Sequence, residues 1–163
     1  MNSSDRFLGI RPAHHADLDA LVELARRSWL SAFAQTAPLA LIDWWARSDC
    51  TRRLYEASWP EMFVLEDGGR LLGVVQPKDA EIHGLWVSPS CQGRGVGTRL
   101  LEFGESRIRA IGERTAWLTC AAFNPRALSF YRSRGYAEVA RSRYAHESGL
   151  EVEEVRLEKQ LGG

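Results

Sequence analysis

Three glycines at alternate positions, in Gln92-Gly93-Arg94-Gly95-Val96-Gly97, constrain the fold of this chain more than any other segment. They follow residues 80–87, which read as a strand. They precede Val96, Leu100, Phe103, Ile108 and Ile111, which put an apolar stripe on one helical face between residues 95 and 111. A helix entered from such a loop begins with several backbone N–H groups unpaired and aimed together, an arrangement that attracts phosphate. Glycines at 93, 95 and 97 let the backbone approach an anion with no Cβ in the way, and Arg94 adds a charge-assisted contact. The spacing excludes two phosphate loops. No lysine lies near enough for a P-loop, and the third glycine of a dinucleotide fingerprint would fall on Thr98. Taken alone, the segment is an anion-binding turn.

Around it the chain alternates strand and helix signals. Residues 10–13 read as an opening strand. Asp17 and Asp19 then supply negative charge suited to a helix N-terminus, and Leu18, Leu21, Val22, Ala25 and Trp29 repeat at helical spacing. A second helical stretch covers residues 39–59 and is closed by Pro60. Residues 62–66 and 70–76 are β-type runs joined by Asp67-Gly68-Gly69, a hairpin signal, and the strand over 80–87 follows directly. Beyond the glycine helix, residues 117–122 read as a buried strand. Asn124-Pro125 supplies an N-cap with proline at the first helical position, and Gly135 terminates that helix. Two strands, 136–143 and 151–159, end the chain on either side of a turn at 146–149. No repeat, linker or low-complexity segment interrupts this order.

The 163 residues suit one domain, expected over 7–160 after a flexible tail at 1–6, and a chain of this size buries roughly two thirds of its unfolded surface. A formal net charge of zero argues against a nucleic-acid partner, which needs a basic surface. The three cysteines, Cys50, Cys91 and Cys120, are widely separated and lack CxxC spacing. They indicate neither a disulfide framework nor a zinc site, so no metal is expected and a reducing cytoplasm fits best. No apolar run approaches the roughly 20 residues of a membrane span, and the polar start lacks a signal-peptide core; a soluble, unprocessed protein, monomer or homodimer, is expected.

The pattern Gln92-x-x-Gly95-x-Gly97 after Leu85-Trp86-Val87-Ser88-Pro89 resembles the acetyl-coenzyme A motif of the GNAT (GCN5-related N-acetyltransferase) superfamily. About 30 residues on, residues 124–136, with Asn124, then Phe130-Tyr131, then Gly135-Tyr136, are similar to that family's second signature. The order of elements over residues 10–159 fits as well. The resemblance implies a three-layer α+β domain. Its central sheet would be mixed and mostly antiparallel, with about seven strands flanked by about four helices and splayed at its two central strands. It also implies acetyl-coenzyme A as donor cosubstrate and an amine as acceptor. Leu85, Trp86 and Val87 would line the pantetheine arm, and residues 92–98 (Gln92, Gly93, Arg94, Gly95, Val96, Gly97 and Thr98) would hold the diphosphate. Asn124 and Tyr131 would complete the site. Helix capping explains Asn124 equally well.

Acetyl transfer from a thioester needs a neutral amine, a polarised carbonyl and a proton for the departing thiolate. A lysine amine is neutral about once in 2,500 molecules at pH 7, equivalent to roughly 4–5 kcal/mol of barrier, so it needs a base. An α-amine near pKa 7.7 to 8 is neutral in roughly a tenth or more and can use a water relay. Glu81, 11 residues before Gln92, matches the glutamate base of some family members, and strand alternation puts His83 on the same face. Tyr131 occupies the position of the family's general acid. A backbone N–H near Val87 would polarise the carbonyl.

The acceptor side is less marked. Trp29, Phe33, Trp44, Trp45 and Trp59 belong to the helical region bordering the family's acceptor groove, and Arg47, Arg52 and Arg53 could meet a carboxylate; core packing and a solvated face explain them too. Two other functions keep the loop: a non-catalytic acyl-coenzyme A module, needing neither Glu81 nor Tyr131, and a thioesterase using Cys91 with His83 as base.

Overall fold

The β-type runs assemble into one sheet in the computed structural model, which describes residues 9–162; the expected tail at 1–6 lies outside the described residues. The strands are β1 (Ile10–Pro12), β2 (Phe63–Asp67), β3 (Arg70–Lys78), β4 (Glu81–Val87), β5 (Thr115–Ala121), β6 (Ala137–Ala145) and β7 (Glu151–Gln160). They lie in the order β1-β2-β3-β4-β5-β7-β6, and every neighbouring pair is antiparallel except β4 with β5. The helices are α1 (Leu18–Phe33), α2 (Leu39–Arg47), α3 (Cys50–Ser58), α4 (Val96–Ala110) and α5 (Pro125–Arg132).

The seven-stranded mixed sheet matches expectation, and the helix count is five because the stretch over 39–59 is broken. Ser48 takes an extended backbone, φ −87° and ψ 151°, and its hydroxyl donates to the Trp45 carbonyl at 3.3 Å. Ser48-Asp49 offers local side-chain hydrogen bonds that compete with the helix ladder, and helical periodicity alone does not register that competition. Gly135 fulfils its role. With φ +89° it closes a Schellman motif in which its own N–H bonds the Arg132 carbonyl at 3.1 Å and Tyr136 N–H bonds the Tyr131 carbonyl at 3.2 Å.

Each face of the sheet has its own apolar cluster. On one face α4 and α5 bury Leu100, Leu101, Ile108 and Leu128 against Val75, Ile82, Leu118, Val155 and Leu157. On the other, α1 and α3 bury Leu21, Leu24, Ala25 and Tyr55 against Val64 and Val74. Burial of each large aliphatic side chain contributes about 1.5–3 kcal/mol. α4 sits unusually close, since a Cβ on Gly104 would lie 2.7 Å from Ile82 Cδ1. Behind α4, Glu105 is almost fully buried and receives Lys159 Nζ at 2.8 and 3.0 Å and the Tyr136 hydroxyl at 3.2 Å.

The central strands hardly pair. Glu81 opposite Trp117 is their one register position, with Trp117 N–H bonding the Ala80 carbonyl at 3.0 Å. Beyond it β5 stays paired to β7 through Ala121 while β4 follows β3, so the two strands splay apart.

Candidate active site

The splay creates the site. Between β4 and β5 lies a cleft of about 460 Å³ that the glycine loop, the end of α1 and α5 also line. Ser88 N–H bonds the Leu72 carbonyl of β3 at 2.8 Å. By antiparallel alternation Trp86 and Ser88 turn their backbone groups to β3, leaving those of Leu85 and Val87 facing the gap. The Val87 carbonyl is taken there by Ser28 Oγ at 2.9 Å and Gln92 Nε2 at 3.2 Å. Ser28 is a buried α1 side chain that pins the end of β4, and helical periodicity gave it no distinguishing mark.

A bulge sets which way β4 side chains point. Gln76 pairs with Gly84 and Pro77 with Ile82, so His83 is the extra residue. Pro77 suits this position, having no N–H to leave unpaired. The bulge shifts the alternation: Ile82, Leu85 and Val87 pack with the α4 cluster, whereas Trp86 packs with the α1 cluster. Strict alternation over 81–83 therefore does not apply, yet His83 Nδ1 still meets Glu81 Oε1 at 3.3 Å. His83 lines the cleft with 46% of its side chain exposed, while Glu81, 20% exposed, stands outside the lining.

The loop bends as its glycines require. Gly93 (φ +74°) and Gly95 (φ +80°) are left-handed, and Gly95 is the N-cap of α4. Gln92, Gly93, Gly95, Gly97 and Thr98 line the cleft; Val96 is buried in the core and Arg94 is exposed away from the lining. Leu85, Trp86, Val87, Asn124 and Tyr131 line it too. Asn124 Oδ1 caps α5 by accepting Ala127 N–H at 3.1 Å. The buried Tyr131 packs edge-on to Phe130 and Tyr136, with centroids 5.2 and 5.7 Å away. Burial first, then the nearby Cys120 thiol, push the Tyr131 phenol well above its ordinary range, and burial lifts Cys120 to about 11. Both stay protonated at neutral pH.

Several lining residues were not singled out from sequence: Ser28, Phe130, Arg126 and Arg134 among them. Arg134 lies 4.1 Å over the Phe130 ring and donates from Nε to Thr98 Oγ1 at 3.0 Å, joining α5 to α4. A charged residue inside a recognised signature was the available signal. Cys91 is buried in the α4 cluster and does not line the cleft.

The aromatic residues divide. Phe33 lines the cleft and touches Trp86 (6.4 Å) and Phe123 (5.4 Å), spanning the two arms of the splay. Trp29 stacks on Trp45 at 4.3 Å, and Trp44 meets His146 edge-on at 4.6 Å. Trp59 packs on His15. Arg47 pairs with Asp43 and Arg52 with Asp19 and Glu56, away from the lining, and Arg53 is exposed. Among the described residues no cluster of His, Cys, Asp or Glu could hold a metal ion, and no helix is long and apolar enough to cross a membrane.

Comparison with known proteins points the same way as this geometry. The chain resembles peptidyl-lysine N-acetyltransferase YiaC of Escherichia coli, with 28% identity over 131 residues that cover 78% of this chain and 82% of YiaC. It is 36% identical over 90 residues to N-alpha-acetyltransferase RimI of Mycobacterium tuberculosis, so the match takes in about half of each protein (52%). The PaiA N-acetyltransferase of Thermoplasma acidophilum, solved in complex with coenzyme A, shares the fold with a TM-score of 0.69 at 20% identity, over 93% of this chain and 97% of that one. A family model for the GNAT acetyltransferases matches residues 18–136, from the first turn of α1 through the glycine loop and the cleft to Tyr136. One curated relative, an uncharacterized Mycobacterium leprae protein, is matched over only about a quarter of its length. The family model takes in most of this chain, and with the strand pair splayed over a glycine-entered helix it shows that the chain belongs to the GNAT acetyltransferase family.

Proposed function

We propose that this chain transfers an acetyl group from acetyl-coenzyme A to a primary amine of a small molecule, peptide or protein, by direct attack in a ternary complex. The observation that carries this reading is that His83 on β4 and the protonated Tyr131 on α5 line one cleft below the glycine loop. Gly93, Gly95 and the start of α4 suit the diphosphate, and the gap-facing backbone of Leu85 and Val87 suits the pantetheine amides. The coenzyme A complex of the PaiA relative supports the choice of donor.

In this reading the Val87 N–H polarises the thioester carbonyl. His83, its Nδ1–H held by Glu81, presents Nε2 to the acceptor ammonium and removes its proton. The nitrogen lone pair forms the N–C bond, the C–S electron pair leaves with sulfur, and the Tyr131 hydroxyl gives its proton to the thiolate. The second proton shed by the acylated nitrogen, relayed through water, restores the Tyr131 hydroxyl. Glu81 is thus a positioning residue, and His83 takes the base role first expected of Glu81. The three free cysteines suit a reducing cytoplasm.

The test is coenzyme A release in the presence of amines. His83→Gln should lower kcat by about 10²-fold with the dissociation constant for acetyl-coenzyme A unchanged. Full turnover in both His83→Gln and Tyr131→Phe would overturn these assignments. Tight binding without any turnover would favour the non-catalytic module. Thiol release without amine, abolished by Cys91→Ala, would favour the hydrolase, which the burial of Cys91 outside the cleft opposes.

A further inference from the structure

The charge and shape of the cleft on its α1 side carry information about the acceptor. Among the described residues that line the cleft none is aspartate or glutamate, and its ionisable side chains outside Cys120 and Tyr131 are His83, Arg126 and Arg134. Glu81 is paired with His83 itself, and Glu61 is engaged with Gln76 at 2.8 Å and Lys78 at 3.4 Å. A polycation would find no free counter-charge there. An amine that arrives almost wholly protonated, as a lysine side chain does, would find no carboxylate to hold it.

Shape points the same way. Gly84 and Trp86 lie opposite Gln76 and Val74 of β3, so their side-chain positions share the α1 face. A Cβ built on Gly84 would meet nothing within 4 Å, and Gly84 lacks the positive φ that would demand glycine. The missing side chain leaves an open slot on that face, one residue along β4 from His83, in a cleft that Trp86, Phe33 and Ala32 also line.

We propose that the Gly84 slot receives a bulky apolar or aromatic side chain, so that the acceptor is the α-amine of an apolar residue, at a peptide terminus or in a free amino acid. At a peptide terminus an α-amine is neutral in roughly a tenth or more of molecules at pH 7, against about one in 2,500 for a lysine side chain, so it depends far less on a carboxylate to hold it before His83 removes the proton. This rests on the transferase reading given above.

The experiment follows coenzyme A release from acetyl-coenzyme A with tetrapeptides that differ only in a first residue of Phe, Leu, Gly, Asp or Lys. Free phenylalanine, Nα-acetyl-lysine amide and spermidine complete the panel. Phe-first and Leu-first peptides should exceed the Gly-first, Asp-first and Lys-first peptides, the lysine amide and spermidine in kcat/KM by about tenfold or more. Gly84→Leu fills open space and should keep its melting temperature; it should erase that preference by raising the acceptor KM of the Phe-first peptide while sparing the Gly-first one. Use of phenylalanine as well as the peptide assigns the slot to a free amino acid, and use of the peptide alone assigns it to a terminus; either supports the proposal. Preference for spermidine or the lysine amide, or Gly84→Leu slowing all acceptors equally, overturns this inference and leaves the transferase intact. No turnover with any amine overturns the transferase reading as well.

Discussion

The two faces of the sheet hold themselves together by different means. On the α4 side Glu105, with 4% of its side chain exposed, lies under a helix that glycines bring hard against the strands and takes Lys159, whose side chain keeps 26% of its exposure. On the α1 side the corresponding polar tie is Arg11 with Asp17 and Glu66, whose side chains keep between 14% and 31% of their exposure. The α4 side therefore carries a carboxylate in its core, where loss of the partner is costly. The polar tie on the α1 side keeps contact with solvent throughout and tolerates change, although the apolar cluster beneath it is as buried as that on the other face.

The contrast can be broken most directly at Lys159. Lys159→Met strands the Glu105 carboxylate in the core, and a loss of about 3 kcal/mol is expected in chemical denaturation. A loss below about 0.5 kcal/mol would mean the carboxylate is not sealed. Next is Tyr131→Phe, which removes only a hydroxyl from a packed ring. It should cut kcat roughly 10- to 100-fold without weakening acetyl-coenzyme A, read by steady-state kinetics beside a binding titration. A rise in KM alone would make Tyr131 a wall residue.

Ser28→Ala sharpens the comparison at the seam, because Ser28 comes from α1 but holds the Val87 carbonyl of the donor groove. It should cost about 1 kcal/mol and also raise the KM for acetyl-coenzyme A. The smallest effect belongs to Asp17→Asn. Hydrogen bonding from Arg11 holds the Asp17 carboxyl below its ordinary 3.8. A depressed carboxyl contributes stability that is present above its unfolded pKa and lost as pH falls through the folded one. Wild type should therefore exceed the variant by at most about 1 kcal/mol at pH 7, and the gap should close below about pH 3.8. A gap unchanged at pH 2.5 would assign the effect to packing.

How much of this was legible from sequence divides along the same seam. The glycine loop and the capped helix were, since Gly93, Gly95, Asn124 and Gly135 act through local backbone geometry that needs no distant partner. The split of residues 39–59 at Ser48 was not, because periodicity continues across it while the backbone turns on a single hydroxyl. Ser28 was equally unmarked, and Phe33 was named only in company with four tryptophans that do not line the cleft. Both Ser28 and Phe33 belong to an ordinary amphipathic helix and become part of the cleft only when α1 is laid across the end of β4.

The roles of Glu81 and His83 show the boundary most clearly. The family resemblance nominated Glu81 and alternation placed His83 on its face; in the structure, with a bulge at Pro77, the imidazole lines the cleft and the carboxylate stands beside it. The sequence by itself determined the glycine-entered helix, its strand and the capped helix after Asn124, because each depends on the conformational limits of a few neighbouring residues. Only the tertiary structure decided how far β4 and β5 separate, which side chain the bulge turns inward and what slot Gly84 leaves open. Those depend on packing between segments far apart in the chain, which no local pattern encodes.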